Sequence, residues 1–355
     1  MKKSLIALAV LGLSGAAMAQ SSVTLYGVAD AGVGKMQGAS ALKPSTDASN
    51  KTQFISSSLM NNTDSRVGVR GIEDMGGGLK AGYNFETGVN LNDGSATSGN
   101  FWARQANLWL SSDWGTIKLG RQFTVSYLAN GTYELTGQAN YSAVGNTYNY
   151  VGLSQRANSA FAYITPTFNG LTAAVAYISK NDCVANVGGT IGAGTGTAIC
   201  GVNVWDAGVL YGNGPVAAGL SVNKATGGKT GYQLGGKYTI QNFAVAASFT
   251  QAANVLGLSA NNPNSWATTT NPNAGIGSIN AVRRGFGLGG TATFGAFSAT
   301  LDLTRDVKNE WSNGRKYTNG TVELKYALSK RTFVYGAYLR LDSTNNYGLG
   351  IRHNF

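Results

Sequence analysis

The chain has 355 residues and a formal charge of +11, from 27 basic and 16 acidic side chains. The basic residues are dispersed without a Lys/Arg cluster, which argues against a nucleic-acid partner and for a lumen that attracts anions. Hydrophobic residues make up 43% of the chain but are spread at period two, which excludes a helical membrane protein, since a spanning helix needs a run of about 20 apolar residues.

Residues 1–19 have the form of an export signal. Lys2 and Lys3 precede an apolar stretch over 5–15, and Ala17-Met18-Ala19 is a small-x-small cleavage site. The expected mature chain is 20–355, one domain without an internal linker. It carries 25 basic and 16 acidic residues, a charge of +9. Fifty glycines, 17 tyrosines and only 5 prolines favour strands with small residues between large ones.

The first predicted strand is 23–33. Val23, Leu25, Gly27, Ala29 and Ala31 share one face, and Thr24, Tyr26, Val28 and Asp30 the other. A polar loop reaches Asp64. The second strand is 65–71, followed by a turn over 73–78. The third, 79–88, places Leu79, Ala81, Tyr83 and Phe85 outward and Lys80, Gly82, Asn84 and Glu86 inward. A hairpin of 104–111 and 116–122 comes next. The segment 123–155 is rich in Tyr, Asn, Gly and Thr and has no period-two pattern; a loop of that length in a compact domain is usually functional.

Further hairpins are predicted at 158–165 with 171–178, 202–211 with 216–223, 231–240 with 243–252, 284–294 with 298–307, and 317–326 with 332–342. The last strand, YGLGIRHNF over 347–355, ends on an aromatic. Cys183 and Cys200 flank a Gly, Ala and Thr-rich run and are expected to staple one long loop, worth about 3 kcal/mol in the chain-entropy model. Two free thiols are the alternative, and the absence of nearby His argues against a metal.

Sixteen strands result, with short turns alternating with long loops. Alternating segments of about ten residues are the pattern of a barrel in lipid. Lipid offers no partner to backbone N–H and C=O, so such a sheet has no edge. The fold class is therefore all-β, a sixteen-stranded antiparallel transmembrane β-barrel. A propeller repeat is absent.

Five stretches carry a family resemblance: SVTLYG at 22–27, SRVGVRGIEDMGGGLKAG at 65–82, WGTIKLGRQ at 114–122, YITPTFNGL at 163–171 and GIRHNF at 350–355. The chain resembles the trimeric general porins of Gram-negative bacteria, especially their betaproteobacterial branch. The resemblance implies a homotrimer in the outer membrane, surrounded by lipid and lipopolysaccharide, with a third loop, here 123–155, folded inward to narrow the pore. It implies that Phe355 is the aromatic end recognised by the barrel assembly machinery. It also implies constriction arginines at the matching positions Arg66, Arg104 and Arg156.

Arg66 and Arg156 have inward parity. Arg104 shares parity with Leu108 and Leu110, so it needs a bulge or a position beyond the lipid belt. Lys80, Lys118 and Lys325 also have inward parity and extend the positive lining. Glu86 and Glu134 either pair with the arginines or brace the loop. Rings of Lys or Arg favour anions, so the expected function is an anion-selective, water-filled channel for small hydrophilic solutes. It needs no cofactor. A substrate-specific channel and a surface adhesin are the alternatives. An enzyme would need a Ser/His or Asp/His arrangement, and the single histidine, His353, has lipid-facing parity. Gly275-Ile276-Gly277 sits in a loop and is no nucleotide fingerprint.

Overall fold

The computed structural model describes residues 21–37, 50–179, 202–253, 280–312 and 314–355. The export signal, Cys183, Cys200 and the Gly275-Ile276-Gly277 stretch lie outside them.

Seventeen strand segments form one antiparallel sheet. They are β1 (Ser22–Lys35), β2 (Thr52–Ser56), β3 (Arg66–Gly76), β4 (Leu79–Gly88), β5 (Gln105–Ser112), β6 (Gly115–Phe123), β7 (Arg156–Ile164), β8 (Leu171–Ile178) and β9 (Val204–Asn213). The others are β10 (Val216–Ala225), β11 (Thr230–Ile240), β12 (Phe243–Ala252), β13 (Arg283–Phe294), β14 (Phe297–Asn309), β15 (Thr318–Ala327), β16 (Thr332–Leu341) and β17 (Thr344–Asn354). The wall is a closed barrel of sixteen strands, because β2 and β3 share one edge of β1. Residues 22–28 of β1 pair with β3, and 31–35 pair with β2. Its other edge closes the barrel on β17, from Val28 opposite Asn354 to Lys35 opposite Tyr347.

The side-chain pattern is inverted relative to a water-soluble barrel. On β10, Leu220 and Val222 point outward and are 47% and 45% exposed, whereas Ser221 and Asn223, which alternate with them, are fully buried. On β14, Leu301 and Leu303 are exposed, and Thr300, Asp302, Thr304 and Asp306 are buried. Water outside would penalise this arrangement. In lipid the outer leucines are solvated, and the polar groups find partners inside. No helix among the described residues is long and apolar enough to cross a bilayer, so the strands form the crossing.

Three local features differ from the sequence reading. Strand β3 continues through Glu73 and Asp74, and the turn shrinks to Gly77 and Gly78, which adopt φ of +61° and +81°; only glycine takes these without strain. The loop after β1 carries β2, and 57–65 then leave the wall inward. Leu59, Met60 and Asn61 there are 0–1% exposed. The long connections do not alternate throughout: β10 and β11 join through 226–229, and β16 and β17 through Asp342 and Ser343 alone. Asp342 takes φ +54°, a left-handed turn position that Asp tolerates.

Candidate pore constriction

The 123–155 segment folds into α1 (Val125–Tyr133), α2 (Ala143–Tyr148) and a 3-10 turn at Tyr150–Gly152. Both helices start on hydroxyl caps, as their sequences allow. Thr124 Oγ1 accepts the amide of Tyr127 (3.2 Å), and Ser142 Oγ that of Gly145 (3.1 Å). Val151 adopts φ +67°, an outlier for a β-branched residue, and its carbonyl accepts Asn223 Nδ2 of β10 (3.3 Å).

The segment's hydrogen bonds reach inward-facing residues of many strands. Ser126 donates from its amide (3.0 Å) and hydroxyl (2.6 Å) to Asp206 of β9. Tyr133 donates to Gln233 of β11 (2.7 Å). Tyr141 donates to Glu323 of β15 (2.5 Å), and its carbonyl accepts Thr321 Oγ1 (2.6 Å). Thr147 bonds Thr304 of β14 (2.9 Å). The 57–65 excursion docks on the same segment: Asn62 donates to Tyr141 (2.8 Å), and Asn140 Nδ2 to Ser58 O and to Asp64 (both 2.9 Å). Asp30 of β1 ties that excursion to the wall, accepting from Asn61 (3.0 Å), the Thr63 amide (2.9 Å) and Tyr335 of β16 (2.6 Å).

Arg66, Glu86 and Arg104 come together at this junction. Arg104 Nε donates to Glu86 Oε1 (2.7 Å), and Nη1 donates to Asp64 Oδ2 (2.8 Å). Arg66 Nε lies 3.6 Å from Glu86 Oε2. Tyr26 also donates to that oxygen (3.1 Å). The parity difficulty at Arg104 resolves because it precedes β5 by one residue. Its amide bonds Glu86 O (3.0 Å), and its side chain is free of the strand's alternation. Burial opposes the charge on Arg104, but Asp64 and Glu86 outweigh it and hold the guanidinium above its ordinary pKa. Arg156, at the start of β7, stands apart from that network. Its Nη1 donates to Gln155 Oε1 (2.8 Å), and its Cζ lies 4.6 Å from the Phe123 ring centre.

Of the other candidates, Lys118 is half-buried on the face it shares with Trp109 and Ala162. Lys325 bonds Glu323 (2.9 Å) and Thr136 O (3.3 Å), so it holds the segment as well as lining the wall. Lys80 is exposed at the short-turn end, opposite Asp74, away from the junction. Glu134 accepts from Thr136 Oγ1 and the Gln138 amide, both at 2.6 Å, and so braces its own turn. Phe355 exchanges backbone hydrogen bonds with Gly27 (3.0 and 3.1 Å), and its ring occupies the space a Cβ at Gly27 would need.

Sequence reasoning missed Arg352. It donates to Asn62 Oδ1 (2.7 Å) and to Asn354 (3.1 Å). Its alternation with Ile351 and His353 was the available signal. The acids of the wall are hidden: Asp30, Asp206, Asp302 and Glu323 are 0–4% exposed, three of them capped by the inward segments. Arg66, Arg156, Arg352, Lys118 and Lys325 keep partial exposure.

A sheet closed on itself, apolar outside and polar within, defines a membrane-spanning channel protein. The Gram-negative porin family matches residues 4–346, and the chain belongs to that family. It is an outer-membrane channel for passive diffusion, not an enzyme. It is similar to an outer membrane porin protein of Bordetella pertussis, 29% identical with 100% of both chains covered. It is also similar to outer membrane porin protein 32 of Delftia acidovorans, 35% identical over 69% of this chain and 67% of the other. Among solved structures, the anion-selective porin from Comamonas acidovorans superposes with a TM-score of 0.70 at 23% identity, covering 95% of this chain and 100% of that one.

Proposed function

We propose that this porin is modestly anion-selective, and that the 123–155 segment with the 57–65 excursion narrows the path at a basic wall. The carrying observation is the unequal burial of the wall's charges: Asp30, Asp206, Asp302 and Glu323 are covered, whereas Arg66, Arg156, Arg352, Lys118 and Lys325 keep partial access to water. Arg156 and Arg352 contribute most, since the groups they donate to are neutral amides. Arg66 shares Glu86, and Arg104 is held between two carboxylates. Arg104 thus acts mainly as a brace. The anion preference named for the Comamonas acidovorans structure points the same way.

The remaining parts of the reading follow from the resemblance to trimeric porins. They are a homotrimer, cleavage of 1–19, contact with outer-membrane lipid and lipopolysaccharide, Phe355 as the end recognised during assembly, and small anions and hydrophilic solutes as cargo. The zero-current potential across a KCl gradient tests the selectivity. The intact channel is expected to favour chloride. A unit charge about 6 Å from the path in water is worth about 0.7 kcal/mol, so Arg156→Ala is expected to lower the chloride preference by about threefold. Cation preference in the unaltered protein would reject the selectivity and leave the pore standing.

A further inference from the structure

The two ends of the 123–155 segment meet at the lip of the β6–β7 pair, where Phe123 stands opposite Arg156. Five side chains close a ring there. The Arg156 Cζ lies 4.6 Å from the Phe123 ring centre. Phe123 stacks on Tyr127 of α1, with ring centres 4.8 Å apart and planes 16° apart. Tyr127 meets Tyr150 edge to face, also at 4.8 Å. The Tyr150 hydroxyl accepts Gln155 Nε2 (3.4 Å), and Gln155 Oε1 accepts Arg156 Nη1 (2.8 Å), which returns to the start.

Tyr150 reaches that place through an unusual backbone. Asn149, Tyr150, Val151 and Gly152 take φ of +43°, +48°, +67° and +91° in succession. Three of the four are not glycine, and such backbone persists only where its surroundings over-determine it. Here they do. Asn223 of β10 holds the Val151 carbonyl, and the amides of Leu153 and Ser154 close on Tyr150 O (3.4 Å) and Asn149 O (3.2 Å). Gly231 of β11 leaves the room, since a Cβ there would lie 2.8 Å from Val151 O. The docked turn leaves Tyr150 1% exposed, with its hydroxyl on Gln155.

Arginine is long and flexible, and a guanidinium free to move settles on a carboxylate. Glu86 is within electrostatic reach of Arg156, yet the groups bonded to it are Arg104 and Tyr26. The ring offers Arg156 an aromatic face and a neutral amide instead, which fix its position without cancelling its charge. We propose that Gln155 and Tyr150 are positioning residues for the anion preference: they hold Arg156 on Phe123, apart from Glu86, with its charge open to the path. This rests on the basic-wall reading above and names what sets one of its two main groups.

The test is the zero-current potential across a KCl gradient, read as a double-mutant cycle with Arg156→Ala. Gln155→Leu keeps the net charge and removes both hydrogen bonds. Letting the guanidinium move from about 6 Å to about 12 Å from the path halves its effect, so the chloride preference is expected to fall about 1.8-fold. Tyr150→Phe removes one hydroxyl, keeps the ring packing and is expected to shift the preference in the same direction. It carries the cycle alone should Gln155→Leu fail to refold. In the Arg156→Ala background neither change is expected to move the potential further. A preference unchanged by either substitution in the otherwise intact protein overturns the positioning role. So does an equal shift in both backgrounds, which would mean that the substitutions only loosen the segment. Cation preference in the unaltered protein would reject the basic-wall reading, and this role with it.

Discussion

Glu86→Gln is expected to destabilise the barrel by about 3–5 kcal/mol, the usual cost of removing one partner from a buried ion pair. Glu86 is 3% exposed and serves three neighbours at once: Arg104 at 2.7 Å, Tyr26 at 3.1 Å and Arg66 at 3.6 Å. The amide keeps the shape and loses the charge. Arg104 is then left with Asp64 alone, and its proximity to Arg66 is no longer offset. The loss should spread, because Asp64 also holds Asn140 of the inward segment. Urea unfolding of the refolded barrel, followed by its heat-modifiable migration, reads the change. Adding Arg104→Gln should recover part of the loss, since removing both members of a buried pair costs less than removing one. A Glu86→Gln barrel as stable as the parent would show that this junction is wet and loosely held.

Leu288→Arg gives the second large effect. Leu288 sits midway along β13, opposite Ala247 and Leu303, and is 66% exposed. In a water-soluble protein, changing so exposed a side chain is usually worth within about 0.5 kcal/mol either way. On the lipid face of a barrel, arginine at the midplane costs about 2–4 kcal/mol. Reversible unfolding from lipid vesicles separates the two cases. A neutral result would mean that the outer face meets water.

The wall was legible in the residues because its signal is local. Period-two alternation places 79–88, 171–178 and 243–252 on the same bounds as β4, β8 and β12. Arg66, Arg156, Lys118 and Lys325 carry inward parity in the alternation of their own strands. Parity failed at Arg104, which lies just outside its strand. The inward parts were not legible, because long-range partners decide their position. The 57–65 stretch is rich in Ser, Asn and Thr and has the composition of a surface loop. It is buried because Asp30, Tyr141 and Tyr335 supply hydrogen bonds from distant parts of the chain. The short helices α1 and α2 are held in the same way, by Asp206, Gln233 and Thr304. The division of roles among the arginines depended on which carboxylates reach them, and alternation carries no trace of that.

Single-channel recording of the refolded protein in a planar bilayer tests the water-filled lumen most directly. Discrete, ohmic steps that grow in proportion to KCl concentration are expected. A bilayer that takes up the folded barrel and stays electrically silent would mean that the two inward segments seal the interior, and the diffusion channel described above would have to be abandoned.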